Sequence, residues 1–254
     1  MQKIIDFAES AVADIGDGAT LSVGGFGLCG IPTVLIHAVA ARGVAELSIV
    51  SNNCGIDGIG LGILLANHQI RRMTASYVGE NAEFARQYLE GELEVELTPQ
   101  GSLAERLRAG GCGIPAFYTL AGVDTMIGTG GLPWRYAPDG SVALASPVKE
   151  ERVFNGRRYI LEECITTDFA LVRAAVADHA GNLLFHEAAR NFNPLCAMAG
   201  RITIVEAEQI VENGDLAPDE VHLPGVFVQR VIAVPPATAK QIEKRVVRPT
   251  SEAA

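Results

Sequence analysis

The sequence has no surplus of basic residues: 20 Lys and Arg stand against 30 Asp and Glu in 254 residues, a formal net charge of −10. That balance argues against a nucleic-acid or membrane-surface partner. It also requires any anionic ligand to be held by local amides and a few placed cations. No apolar run approaches the roughly 20 residues of a membrane span. The opening Met1-Gln2-Lys3-Ile4-Ile5-Asp6 has an early acid and no basic stretch ahead of an apolar one, so no secretory signal is read there. Only five cysteines occur, Cys29, Cys54, Cys112, Cys164 and Cys196, without a C-x-x-C pair. An odd, scattered set predicts reduced thiols and a cytoplasmic location. The five histidines fall at no metal-ligand spacing; His179 and His186 flank the turn Asp178–Asn182 and read as surface residues, so no metal is expected.

Hydrophobic residues make up 48% and charged ones 20%, which is globular composition, and the length suffices for a full core. There is no long linker, repeat or low-complexity tract, so residues 1–254 are expected to form a single domain.

The most informative run is Asp17 to Pro32. Asp17-Gly18 is a turn signal, Thr20 to Val23 is β-prone, four glycines follow within seven residues, and Pro32 precedes apolar residues at helical spacing up to Gly43. The pattern reads strand, glycine loop, helix. Loop amides and the positive end of the helix would converge on one point and favour an anion or a carbonyl oxygen. The same glycines would serve equally for a tight βα turn without a ligand. Gly25-Phe26-Gly27-Leu28-Cys29-Gly30 also matches G-x-G-x-x-G, but the second strand, Leu47–Val50, runs into Ser51-Asn52-Asn53 where a dinucleotide site needs an acid. A nicotinamide enzyme is therefore disfavoured.

In order, Ile4, Ala8, Ala11 or Val12 and Ile15 predict an opening amphipathic helix stopped by Gly16. Leu61–Ala66 reads as a helix, Ile70–Tyr77 as a strand, Ala82–Leu89 as a surface helix and Leu93–Leu97 as a strand with one wet face. Ser102 and Glu105 suggest a capping box for a helix over Leu103–Ala109, closed by Gly110-Gly111. This rhythm predicts an α/β fold, an open, mostly parallel sheet flanked by helices. Loops at the carboxyl ends of its strands would line the ligand crevice, which places Asn52, Asn53 and Gln100 there; plain Asx turns compete for the asparagines. Residues 112–167 break the rhythm as a β-rich excursion covering one side of the sheet, with a hairpin at Asn155-Gly156. The βα style resumes in Asp168–Ala177, Ile202–Ala207 and Val226–Val234, and the charged tail 235–254 is expected to fray.

Val23-Gly24-Gly25-Phe26-Gly27-Leu28-Cys29-Gly30-Ile31-Pro32 resembles the first signature of the two-part CoA-transferases. The likeness continues in Ser51-Asn52-Asn53, Tyr77–Phe84, Gly91–Gly101, Leu103–Arg106, Gly113–Tyr118 and Ala189–Asn193, and Gly79-Glu80-Asn81 favours the succinyl-CoA:3-oxoacid branch over the 3-oxoadipate one. Ser22 departs from the apolar triplet before Gly-Gly-Phe.

The resemblance implies a Rossmann-like sheet of the CoA-transferase type and a reaction through a glutamyl-CoA intermediate. The nucleophilic glutamate belongs to a Ser-Glu-Asn-Gly signature of the B subunit. The nearest string here is Gly79-Glu80-Asn81-Ala82, so no catalytic residue is expected on this chain. By resemblance it is an A subunit, incomplete without its B partner, in a hetero-oligomer such as A2B2, with a place in ketone body metabolism. No cofactor would be bound permanently, CoA and acyl-CoA being substrates. Gly24, Gly25, Phe26, Gly27, Leu28, Cys29 and Gly30 would meet CoA and the thioester. Asn52, Asn53 and Gln100 would hold the acid substrate, a 3-oxo acid such as acetoacetate; Arg190 is a candidate cation. Alternatives are one half of a 3-oxoadipate or other short-chain CoA-transferase, and a non-catalytic CoA- or nucleotide-binding module.

Overall fold

The computed structural model describes residues 2–235 and 238; the tail beyond lies outside the described residues. After one helical turn, α1 (Ala8–Ala11), the chain alternates through β1 (Thr20–Val23), α2 (Thr33–Arg42), β2 (Leu47–Val50), α3 (Gly62–Ala66), β3 (Ile70–Ala75), α4 (Ala82–Leu89), β4 (Glu94–Leu97) and α5 (Gln100–Gly111). The excursion follows: β5 (Ala116–Thr119), α6 (Met126–Thr129), β6 (Pro133–Tyr136), β7 (Val142–Ala145), β8 (Glu151–Phe154) and β9 (Arg157–Glu163). The chain then returns through β10 (Thr167–Asp178), β11 (Leu183–Leu184), α7 (Asn193–Ala199), β12 (Gly200–Val211) and β13 (Arg230–Ala233).

Among the described residues the main sheet runs β13-β12-β10-β1-β2-β3-β4, all parallel, with β11 antiparallel to β10. Parallel strands need crossover helices, and the helices coat both faces. Leu35 and Ile36 of α2, Leu64 and Leu65 of α3 and Phe84 of α4 fill one core; Leu103 and Leu107 of α5 with Cys196 and Ala197 of α7 fill the other. Strand order departs in opposite directions from the β1/β10 pair. This is the expected α/β architecture. No described helix is long and apolar enough to cross a membrane.

Several local expectations are corrected. The opening helix is a single turn, because Ile4 bridges Val231 instead, and Ile5 N donates to Val231 O at 2.8 Å as an extension beside β13. Ser102 caps nothing. Leu103 N already donates to Pro99 O, so α5 starts at Gln100; the Ser102 hydroxyl is buried without a partner among the described residues, and Glu105 pairs with Arg108. Gly110 and Gly111 are the last two residues of that helix, which closes there as expected, and they also serve its packing. A Cβ on them would stand 1.9 Å from Ile165 O and 2.4 Å from Met198 Cβ, so they are glycine to let α5 pack closely. The excursion packs at the β4 edge of the sheet: Tyr88 Oη donates to Pro133 O (2.7 Å) and the Arg72 guanidinium lies over the Trp134 ring. The Asn155-Gly156 hairpin forms with φ of 50° and 76°, the doubly positive pair that a two-residue turn favours.

The wet face expected for β4 is absent. Glu94 and Glu96 are both buried, and both are ion-paired: Arg72 reaches Glu94 (2.8 Å) and Glu96 (2.6 Å), and Arg106 of α5 reaches Glu96 (2.6 Å). Alternation alone could not distinguish solvent from a neighbouring guanidinium. Burial pushes the Glu96 carboxyl up, but Arg106 and Arg72 outweigh it and hold the carboxyl below the usual range. Its folded pKa is therefore lower than its unfolded one. The stabilisation is fully present above the unfolded value, about 4.3, and is lost as pH falls through the folded value. Glu96→Gln is expected to lower unfolding free energy by about 2 kcal/mol at pH 7. The difference from the parent should shrink as pH falls below about 4.3 and vanish only below the lower folded value, which urea titrations across pH will read.

Candidate functional site

The site is built from four neighbouring loops. β1, β2, β3 and β4 lie side by side and point the same way, so the segments after their carboxyl ends stand in a row: residues 24–32, Ser51–Asn53, Ser76-Tyr77 and Thr98–Gln100. They enclose a cleft of about 610 Å³ lined by Phe26, Gly27, Asn52, Asn53, Gly55, Ile56, Ser76, Tyr77, Gly79, Glu80 and Gln100. That volume is in the range of small-molecule sites.

One hydrogen-bonded chain runs across it. Gln100 Nε2 donates to Asn52 Oδ1 (2.7 Å), Asn52 Nδ2 to Asn53 Oδ1 (3.4 Å), and Gly27 N to the same Asn53 oxygen (3.0 Å). Asn53 Nδ2 meets Gly55 O at 3.3 Å. Ser51 Oγ donates to Val23 O and Ser76 N to Asn52 O, which locks the second loop between the first and third. Asn52 and Asn53 are 2% and 6% exposed, so their orientation is set by packing. The longest link, from Asn52 Nδ2, is the one a ligand acceptor would most readily replace. Ser76 Oγ is buried without a partner among the described residues. Among the described lining residues only Tyr77 and Glu80 are ionisable; Glu80 is exposed and has no hydrogen-bond or ion-pair partner among the described residues. The cleft therefore offers neutral donors to a carboxylate or carbonyl oxygen.

Of the residues proposed from sequence, Phe26, Gly27, Asn52, Asn53 and Gln100 come together here. Leu28, Cys29 and Gly30 turn away and line a separate cavity of about 150 Å³ with Arg173, His186 and Ala189. Gly24 and Gly25 line neither. Their reason is packing: a Cβ on Gly24 would stand 2.0 Å from Asn193 Oδ1, and one on Gly25, at φ +117°, 2.6 Å from the Ile31 side chain. Arg190 is exposed and lines neither cavity. Ser76 and Tyr77 escape a reading that extends β3 two residues too far. The rule that selects the asparagines, the carboxyl end of a strand, would have selected them too.

The start of α2 does not await an anion. Val34 N and Leu35 N both donate to Glu206 Oε2 (2.7 and 3.0 Å), so a buried carboxylate from β12 already occupies that positive end. The loop's backbone N–H and C=O groups are largely committed as well. Gly24 N donates to Leu171 O, Phe26 and Cys29 pair with each other, and Asn191 and Asn193 side chains hold Cys29 O and Gly30 O. Ser22, at an apolar position of the signature, is buried with its hydroxyl within 3.0 Å of both Thr167 Oγ1 and Cys196 O. Burial pushes the Cys54 and Cys196 thiols up, which makes them poor nucleophiles. No group of three or more metal-ligating side chains occurs among the described residues.

The chain is similar to known proteins along most of its length. The sequence model described as coenzyme A transferase matches residues 5–234. A Mycobacterium tuberculosis (strain H37Rv) chain, named as the A subunit of a probable succinyl-CoA:3-ketoacid coenzyme A transferase, is 62% identical over 248 residues, 98% of this chain and 100% of its own. A mouse chain named "Succinyl-CoA:3-ketoacid coenzyme A transferase 2A, mitochondrial" is 52% identical over 95% of this chain, which spans 45% of the mouse chain. Among solved structures, an acyl-CoA transferase from Escherichia coli O157:H7 shares the fold, with a TM-score of 0.80 at 23% identity, over 97% of this chain and 50% of that one.

Proposed function

The chain belongs to the coenzyme A transferase family, and from that membership we propose that it is the A half of a two-part enzyme moving CoA from succinyl-CoA to a 3-oxo acid such as acetoacetate. The observation that carries the reading is a cleft of neutral amides at the strand ends, with no carboxylate held in place to attack. The attacking group is then a partner's glutamate. Its carboxylate adds to the thioester carbonyl of succinyl-CoA and expels CoA thiolate, leaving an acyl-glutamyl anhydride. The thiolate attacks the glutamyl carbonyl, releasing succinate and leaving glutamyl-CoA. The carboxylate of the 3-oxo acid repeats the sequence in reverse, and the glutamate is regenerated. Asn52, Asn53 and Gln100 orient the acid: uncharged amides align a carboxylate without binding it so tightly that product stays. The length of the mouse relative, more than twice this chain, supports a second half of similar size. We place the assembly, A2B2 or similar, in the cytoplasm, with no permanently bound cofactor.

The test is reconstitution with a B partner carrying the Ser-Glu-Asn-Gly glutamate, in succinyl-CoA and acetoacetate, following acetoacetyl-CoA absorbance. Neither chain alone should turn over, and the mixture should. Glu80→Gln should cost the mixture less than about fivefold, because a nucleophile's loss costs orders of magnitude more. Turnover by this chain alone, abolished by Glu80→Gln, would sink the reading.

A further inference from the structure

Glu206 is fully buried on β12, yet it is ionisable and lines neither of the two cavities described above. Its Oε2 takes both free amides of the first turn of α2, and its Oε1 takes Arg173 Nη1 at 3.0 Å. Arg173 is tied in turn to Glu208 through Nε and Nη2. The Arg173 backbone N–H donates to Asn193 Oδ1 (3.0 Å), and Asn193 Nδ2 donates to Gly30 O (2.9 Å). Thus β10 and β12 grip the exit of the glycine loop at two points: Gly30 through Asn193, and the start of α2 through Glu206. Buried ion pairs are commonly matched or exceeded in stability by apolar residues of similar volume, so stability alone is a weak reason for this one.

We propose that Glu206 is a positioning residue for the transfer reaction. It clamps the start of α2 and so holds the glycine loop at the height at which Gly27 meets Asn53. The inference rests on the reading of the cleft as the transfer site. Burial raises the Glu206 carboxyl toward about 7, against the pull of the two amides and Arg173, which fits a carboxylate placed for geometry at an electrostatic cost.

Three variants in the assembled enzyme test it: Glu206→Gln, Glu206→Met, and Glu206→Met with Arg173→Met, the last removing the stranded guanidinium. Glutamine keeps an oxygen for the two amides; methionine does not. With methionine, kcat should fall about 30–100-fold with KM for the 3-oxo acid within about threefold, since misplacing a loop by about 1 Å costs this much. Glutamine should recover most of that loss. Hydrogen exchange should quicken at least about tenfold over residues 24–35 in the methionine variants, and not over the β8–β9 hairpin. A folded double variant with parental kcat and loop exchange would overturn the proposal, since a merely structural residue would lower Tm and leave the folded enzyme's kcat alone; equal losses with glutamine and methionine would overturn it too, because the oxygen offered to the two amides would then not matter. Should the parent show no transfer at all, the functional reading falls, and the exchange data still decide whether Glu206 holds the loop.

Discussion

Asn53→Leu in the reconstituted enzyme is expected to lower kcat/KM for the 3-oxo acid by about 10²–10³, the scale of losing one preorganised donor at a reacting centre. The residue has three roles at once. Its Oδ1 receives Gly27 N and Asn52 Nδ2, its Nδ2 holds Gly55 O, and its side chain faces the cleft. Leucine matches the number and branching of the side-chain heavy atoms, so the fold should survive. It leaves Gly27 N and Asn52 Nδ2 without their acceptor, however, and Asn52 is then oriented by Gln100 alone. The effect should fall on kcat more than on KM, because the lost contacts fix geometry. Steady-state kinetics with acetoacetate varied at saturating succinyl-CoA will read it. A loss under about threefold would remove Asn53 from the site.

Gly24→Ala is expected to destabilise the chain by about 4 kcal/mol, from overpacking and broken hydrogen bonds together. For a chain of this size that lowers Tm by roughly 10 °C. The added methyl would stand 2.0 Å from Asn193 Oδ1. Asn193 has no room to retreat: it is fully buried and bonds Arg173 N, Gly30 O and Ala189 O. Moving it releases the loop exit. If Gly24 instead faced a ligand, the same substitution would leave Tm in place and weaken only substrate binding. Calorimetry and initial rates on one preparation separate the two outcomes.

The architecture was legible in the chain because it rests on local signals. Thr20–Val23, Leu47–Val50 and Ala82–Leu89 sit where periodicity and turn residues put them, since strand and helix periods are set by backbone geometry within a few residues. The family was legible for the same reason: Gly-Gly-Phe-Gly, Ser-Asn-Asn and Thr-Pro-Gln-Gly are contiguous strings, and the rule that crevices form at strand carboxyl ends gathers Asn52, Asn53 and Gln100 without any coordinates. What distant neighbours decide was not legible. Glu94 and Glu96 look solvated until Arg72 and Arg106 are brought across from β3 and α5. The helix start after the glycine loop looks like an anion site until Glu206, 172 residues from Val34, fills it. Gly24 and Gly25 look like loop glycines, and Gly110 and Gly111 like terminators only, until their packing partners arrive. A sequence states which residue types stand in a local pattern. Which charge a carboxylate meets, and whether a glycine makes room for a ligand or for its own chain, depends on contacts between segments far apart, and only the folded arrangement contains them.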